Sequence, residues 1–311
     1  MKTQPKNAAT KDVYQIVTDK IIARLEQGYI PWRKSWQTAT ACNYVTGKAY
    51  RGINAFLLNM EGAERPYYLT FKQASDLGGR IKKGAKSEII TYWNWVYTDK
   101  KSGKKLSPDQ WRFAPAGSVT KTAFLKYYNV FNVLDTEGIE LSFPHITQRP
   151  LPEKLAVCEQ IIESIPNPPT IRFGGQEPSY SHTLDCVTMP HIDYFESAEL
   201  YYCTFFHELV HATGHHERLA RKAEGQGNRF GSELYSKEEL IAELGASFLC
   251  AFAEIEQQTL EDSAAYIQNW LQVLNDDKRF IVEAAGKAQQ AADYLTGAIG
   301  QLVETESLEA A

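Results

Sequence analysis

Residues 207–217 read HELVHATGHHE, within the longer run AELYYCTFFHELVHATGHHERLAR (198–221). The first five letters set His207 and His211 four residues apart, so on a helix both rings share one face and can reach one ion. Glu208, beside the first ligand, can take the proton of an attacking water. The apolar approach ELYYCTFF predicts a helix that buries the site, and Gly214 predicts its end. Zinc is the expected ion, with another divalent metal such as manganese as the alternative. A catalytic zinc takes three protein ligands and keeps one position open, so the pattern is one ligand short.

Two places offer the third. In the longer H-E-x-x-H-x-x-G-x-x-H frame Gly214 fits, but the last position is Glu217, and His215 and His216 miss it. Downstream lies SKEELIAELGASF (236–248). Ser236 with Glu239 three residues later reads as a capping box, which assigns Glu239 to a helix N-terminus. Glu243 lies one turn further, among Leu240, Ala242, Leu244, Ala246 and Phe248. A carboxylate so placed is costly unless paired or metal-bound, so His207, His211 and Glu243 form the expected ligand set. Tyr235 and Arg218 are candidate oxyanion donors. DCVTMP (185–190) is a candidate edge strand for an extended peptide.

The 311 residues suffice for two domains, and 43% apolar with 12% aromatic residues describes a chain with a substantial core. Charge divides sharply. Residues 1–145 hold 22 Lys+Arg against 12 Asp+Glu, and the remainder 11 against 26. A basic module for a polyanion joined to an acidic module is the reading. The five cysteines are widely spaced without a C-x-x-C, which points to a reducing compartment. No apolar run predicts a membrane span, and the polar N-terminus shows no signal peptide, so a cytoplasmic protein without a membrane partner is expected.

Helical periodicity predicts helices over 12–28, 51–60 and 70–79, the last capped by Thr70 and Gln73. Aromatic and branched runs predict strands over 87–99 and 124–135. Prolines in LSFPHITQRPLPEK (141–154) mark a boundary. The expected organisation is a flexible tail (1–12), a basic domain (13–140), a linker (141–152) and a second domain (153–311). That second domain is read as mainly helical with a small sheet, and the whole as α+β.

Single-stranded nucleic acid needs cations for its phosphates and flat rings for its bases. The basic half supplies Trp32, Arg33, Lys34 and Trp36 in IPWRKSW. It adds Asn43, Lys48, Tyr50, Arg51 and Asn54 in NYVTGKAYRGIN, Lys72 in FKQ, and Arg80, Lys82, Lys83 and Lys86 in GGRIKKGAKS. All are candidate DNA contacts. Duplex-reading motifs are absent, which favours single strands.

Taken together, PW (31–32), the 43–54 segment, LTFKQA (69–74), GGRIKKG (78–84), VFNV (130–133), HELVHATGH (207–215) and EELIAELGA (238–246) resemble the ArdC-type antirestriction proteins of conjugative plasmids. The N-terminal motifs are also similar to the amino-terminal region of plasmid primases. The resemblance implies a single-stranded-DNA-binding domain, then a zincin-like (gluzincin) metallopeptidase domain with its glutamate ligand in AELGA, here Glu243. It also implies protection of incoming plasmid DNA from host restriction during conjugation, with host restriction-modification proteins as possible partners. The alternative is a DNA-coating protein whose metal site is structural or silent.

Overall fold

The computed structural model describes residues 12–33, 41–115, 117–143, 150–221, 233–256 and 264–297. Helix α1 (Val13–Glu26) forms where apolar residues recur at helical spacing, and Asp12 caps it by accepting the Tyr14 amide at 3.1 Å. A single 3-10 turn, Pro31–Arg33, follows. Then come β1 (Cys42–Asn43), α2 (Gly52–Asn59), β2 (Tyr67–Leu69) and α3 (Phe71–Asp76). The capping box expected at Thr70 is present: its hydroxyl accepts the Gln73 amide at 3.1 Å, and the Gln73 side chain accepts the Thr70 amide at 2.9 Å.

Next are β3 (Arg80–Ile81), β4 (Glu88–Asp99), α4 (Pro108–Arg112), β5 (Val119–Asn132) and β6 (Thr136–Glu137). Helix α4 lies in a stretch that reads as loop. Ser107 and Gln110 close a second capping box with Pro108 at the first helical position, a short-range signal strong enough for five residues. The sheet runs β1-β2-β5-β4, with β1 parallel to β2 and the other pairs antiparallel. Strands β4 and β5 pair from Glu88↔Val130 to Asp99↔Val119, well beyond the two positions at which β2 joins β5. Their outer part is a two-stranded ribbon.

The second half holds α5 (Leu151–Glu163), β7 (Thr170–Phe173), β8 (Ser179–Ser181), β9 (Cys186–Met189), α6 (Ala198–Thr213), α7 (Glu233–Ala253), α8 (Ala264–Asp276) and α9 (Phe280–Thr296). The small sheet runs β7-β9-β8. Strand β9, expected to be an edge, is therefore the centre, parallel to β7 and antiparallel to β8. Both of its backbone edges are taken, so no peptide can add to it.

The apolar residues of the two halves meet in one core. Val17, Ile21 and Leu25 of α1 and Phe56 and Leu57 of α2 pack in the same buried cluster as Phe206, Leu209, Leu244, Leu249 and Ala288 from α6, α7 and α9. Trp32, fully buried, lies between them against Phe56 and Trp270 at 6.3 and 5.7 Å between ring centroids. Helices α6 and α7 approach closely because Gly245 has no side chain: a Cβ there would lie 2.8 Å from Val210 Cγ2.

Candidate metal centre and nucleic-acid surface

Ser197 caps α6 by accepting the Leu200 amide at 3.0 Å, and the helix buries nearly every residue from Leu200 to Thr213. His207 Nε2 and His211 Nε2 face each other at 3.1 Å. Glu239 of α7 completes the group, its carboxylate 3.5 Å from His207 Nε2 and 3.4 Å from His211 Nε2. Donors about 2.0–2.1 Å from one tetrahedral ion stand about 3.4 Å apart. Glu239 reaches the two histidines through different oxygens, Oε2 to His207 and Oε1 to His211, and the group lies close enough to surround one ion.

The expected third ligand, Glu243, is not in this group. Half-buried, it accepts the indole N–H of Trp32 at 2.7 Å. Its carboxylate is paired, as its surroundings require, but a tryptophan 211 residues away supplies the hydrogen bond. The cap assigned to Glu239 fails because α7 begins at Glu233, which puts Ser236 inside the helix. Glu217 is exposed and groups instead with Asp185 and His215.

Behind the histidines stands Glu238. Its Oε1 lies 3.7 Å from His211 Nδ1, an ion-pair separation rather than a hydrogen bond, and accepts Arg221 Nη2 at 3.0 Å. Arg221 also donates to Val210 O at 2.6 Å and Thr213 Oγ1 at 2.6 Å, so it ties the end of α6 to α7. A Cβ at Gly214 would stand 3.3 Å from Glu238 Oε1, so the glycine gives this carboxylate room. Burial favours a neutral His211, but Glu238 and Glu239 outweigh it and push the ring up to about 9. Burial likewise opposes ionisation of both carboxylates. His211 and Arg221 nevertheless hold Glu238 down to about 2, and the two histidines hold Glu239 far below the usual range. Such a basic, oriented histidine suits a metal ligand. Glu208 is buried beside His207.

Arg218, a candidate oxyanion donor, is committed elsewhere. Its buried guanidinium binds both oxygens of Asp185, the Tyr180 hydroxyl at 3.3 Å and Ala212 O at 2.7 Å, anchoring the segment after α6 to the small sheet. The Tyr235 side chain lies outside the described residues.

In the basic half the candidates separate. Trp32 fills the core and offers no face to a base. Asn43 closes a turn, its Oδ1 accepting the amides of Val45 and Thr46, and Asn54 pairs with the backbone of Thr91. Tyr50 is half-buried, and Arg51 pairs with Asp293. Each of these residues has a structural role in the fold. Lys48, Lys72, Arg80, Lys82, Lys83 and Lys86 are exposed, although Arg80 bonds Glu137 at 2.7 Å and Lys82 bonds Leu134 O at 2.7 Å. The Arg33 side chain, Lys34 and Trp36 lie outside the described residues.

The ribbon adds a surface not singled out above. Trp93 and Trp95 are exposed on one face of β4, and Lys121 Nζ of β5 sits 3.9 Å from the Trp95 ring centroid. Tyr97 stacks on Trp111 of α4 at 4.2 Å, and Tyr127 is exposed across the ribbon. The alternation of aromatics in YWNWVY marks a strand without revealing which of its faces meets solvent. Among the described residues no helix is long and apolar enough to cross a membrane.

Residues 11–131 match the family described as the N-terminal domain of anti-restriction factor ArdC, and residues 158–287 match the zincin-like metallopeptidase family. An uncharacterised protein, y4eC, of Sinorhizobium fredii is 33% identical over 293 residues, 91% of either chain. DNA primase TraC of Escherichia coli is 31% identical over 297 residues, which are 92% of this chain and 27% of that primase. Among solved structures, the metal-free antirestriction ArdC protein of plasmid R388 superposes with a TM-score of 0.70 at 34% identity, covering 93% of this chain and 98% of that one. Its Mn(II)-bound form gives 0.71 over 94% and 99%. With both regions matched in order and 93% of the chain aligned to a solved member, this protein belongs to the ArdC family of antirestriction proteins.

Proposed function

We propose that the chain binds single-stranded DNA and hydrolyses peptide bonds at a divalent-metal centre, protecting incoming plasmid DNA from host restriction during conjugation. One observation carries the catalytic part: His207, His211 and Glu239 hold three donors at the spacing of one coordination sphere, with Glu208 adjacent. The ligand set we propose is therefore His207, His211 and Glu239, for zinc or manganese. The Mn(II)-bound R388 relative supports a divalent ion here. When bound, such an ion supplies Lewis acidity that polarises a carbonyl and acidifies water.

The remaining roles belong to the chain. Glu208 accepts the proton of the attacking water and returns it to the leaving amine. Glu238 and Arg221 hold the His211 ring in its orientation. The exposed lysines and the Trp93–Trp95 ribbon support strand binding, cations meeting phosphates and rings meeting bases.

The test is Glu208→Gln, which spares the three ligands. The variant should keep its metal and its affinity for single strands while losing cleavage of an unfolded protein substrate and of purified restriction subunits. Plasmid transfer into a restricting recipient then separates two mechanisms. Loss of protection supports proteolysis; full protection by the variant shows that coating the DNA suffices.

A further inference from the structure

A second group of metal-capable side chains lies where the chain leaves α6, and it shares no residue with the first. Asp185, His215 and Glu217 each bring one donor atom, and these atoms lie within 4.8 Å of one another. Asp185 closes the turn between β8 and β9, whereas His215 and Glu217 follow the end of α6 at Thr213. The group therefore joins the small sheet to the segment behind the first centre.

The donors have capacity left. Asp185 Oδ1 accepts Arg218 Nη2 and the Tyr180 hydroxyl, the latter at 2.8 Å, which fills both its lone pairs. Among the described residues Oδ2 accepts Arg218 Nη1 at 3.0 Å, so one of its lone pairs remains. His215 Nδ1 stands 4.0 Å from that oxygen. Two bonds of about 2.1 Å span at most about 4.2 Å, so an ion between these atoms reaches both as they stand. The Glu217 amide approaches Nδ1 at 3.4 Å, a long contact that presents the lone pair of the ring, not an N–H, on this side. His215 is 8% exposed and so held in place, while the exposed Glu217 can turn its carboxylate toward the ion. His182, on the same turn as Asp185, packs its ring 5.2 Å from that of His215 and is the nearest further imidazole.

We infer that Asp185, His215 and Glu217 hold a second divalent ion, of the transition-metal class that zinc represents. The donor set selects it: an imidazole disfavours calcium and magnesium, which take oxygen ligands, and a mixed nitrogen and carboxylate set suits zinc. Two carboxylates against the Arg218 guanidinium leave the cluster one net negative charge, which favours a cation. The ion would clip the chain after α6 to the β8–β9 turn, reinforcing the tie that Arg218 makes between them.

The test is calorimetric titration of zinc into the metal-stripped full chain. Wild type should take two equivalents and Glu239→Ala one. Adding Glu217→Ala or His215→Ala to Glu239→Ala should weaken that remaining site at least about tenfold, the smaller effect of losing even an outer-shell partner. Glu217 is exposed, so its variant keeps the test decisive if the His215 variant fails to fold. Asp185 is left intact because Arg218 depends on it. If Glu239→Ala takes up no zinc in excess metal, or if its remaining site is indifferent to both added substitutions, the inference is overturned. A single equivalent that survives Glu239→Ala and is weakened by Glu217→Ala would uphold this site while the proposed first centre fails.

Discussion

The indole N–H of Trp32 donates to Glu243 Oε2 at 2.7 Å, one helical turn beyond Glu239 on α7. A residue of the basic half thus braces the helix that presents the proposed third metal donor. Glu243 serves the fold at this point, and Glu239 is the ligand proposed for the ion.

Separate substitutions should divide these roles. Glu239→Ala should lower metal affinity by at least the 10–100-fold typical of losing even an outer-shell partner. Glu243→Ala should retain the metal but melt at lower temperature. Metal content after dialysis, set beside a thermal melt, checks both. Metal lost from Glu243→Ala and kept by Glu239→Ala would reverse the assignment.

Trp32→Ala should cost about 3–5 kcal/mol, as for other large buried rings. Because the core is continuous, the whole protein should still unfold in one transition. Far- and near-ultraviolet circular dichroism during urea titration would reveal two separated transitions if the halves were independent.

Metal uptake should depend on pH through His211. Its ring, pushed up to about 9 in the metal-free protein, must lose a proton to serve as a ligand. Affinity should therefore rise about tenfold per pH unit below about 9, with proton release visible by calorimetry in buffers of different ionisation enthalpy. Without metal the sign reverses. The contribution of His211 to stability is complete below its ordinary 6.5 and disappears as pH rises through about 9. That of Glu238 is complete above its ordinary 4.5 and disappears as pH falls through about 2. The metal-free protein should be most stable between those two ordinary values, and a metal affinity flat with pH would contradict this account.

The ribbon predicts a split response to salt. Lys121→Ala should reduce the slope of log affinity against log salt for single strands by about 0.7, the loss of one phosphate contact. Trp95→Ala should weaken binding by about 1–3 kcal/mol and leave the slope unchanged. Anisotropy titrations across a salt series measure both.

What the sequence reveals follows the range of the interactions involved. Caps and periodicity act within four residues, so α1, the Thr70–Gln73 box and the paired histidines of α6 are readable locally. The choice between Glu239 and Glu243 is not. It depends on where α7 begins, and the residues before it give no clear boundary. It depends also on a tryptophan brought in from the other half. The centrality of β9 escapes for the same reason, since strand order is set by distant pairings. The exposure of Trp93 and Trp95 escapes too, because an aromatic strand reads alike whether its rings face a core or solvent.

The contact between Gly245 and Val210 has a bearing on which ion fits. Two branched methyl groups resting on a bare backbone fix the gap between α6 and α7, so the helices act as a stiff jig with one setting. Ions that prefer longer or shorter bonds cannot be accommodated by sliding the helices. The adjustment falls to rotation of the Glu239 carboxylate, the one flexible arm among the three proposed donors, and discrimination between metals becomes a matter of side-chain torsion.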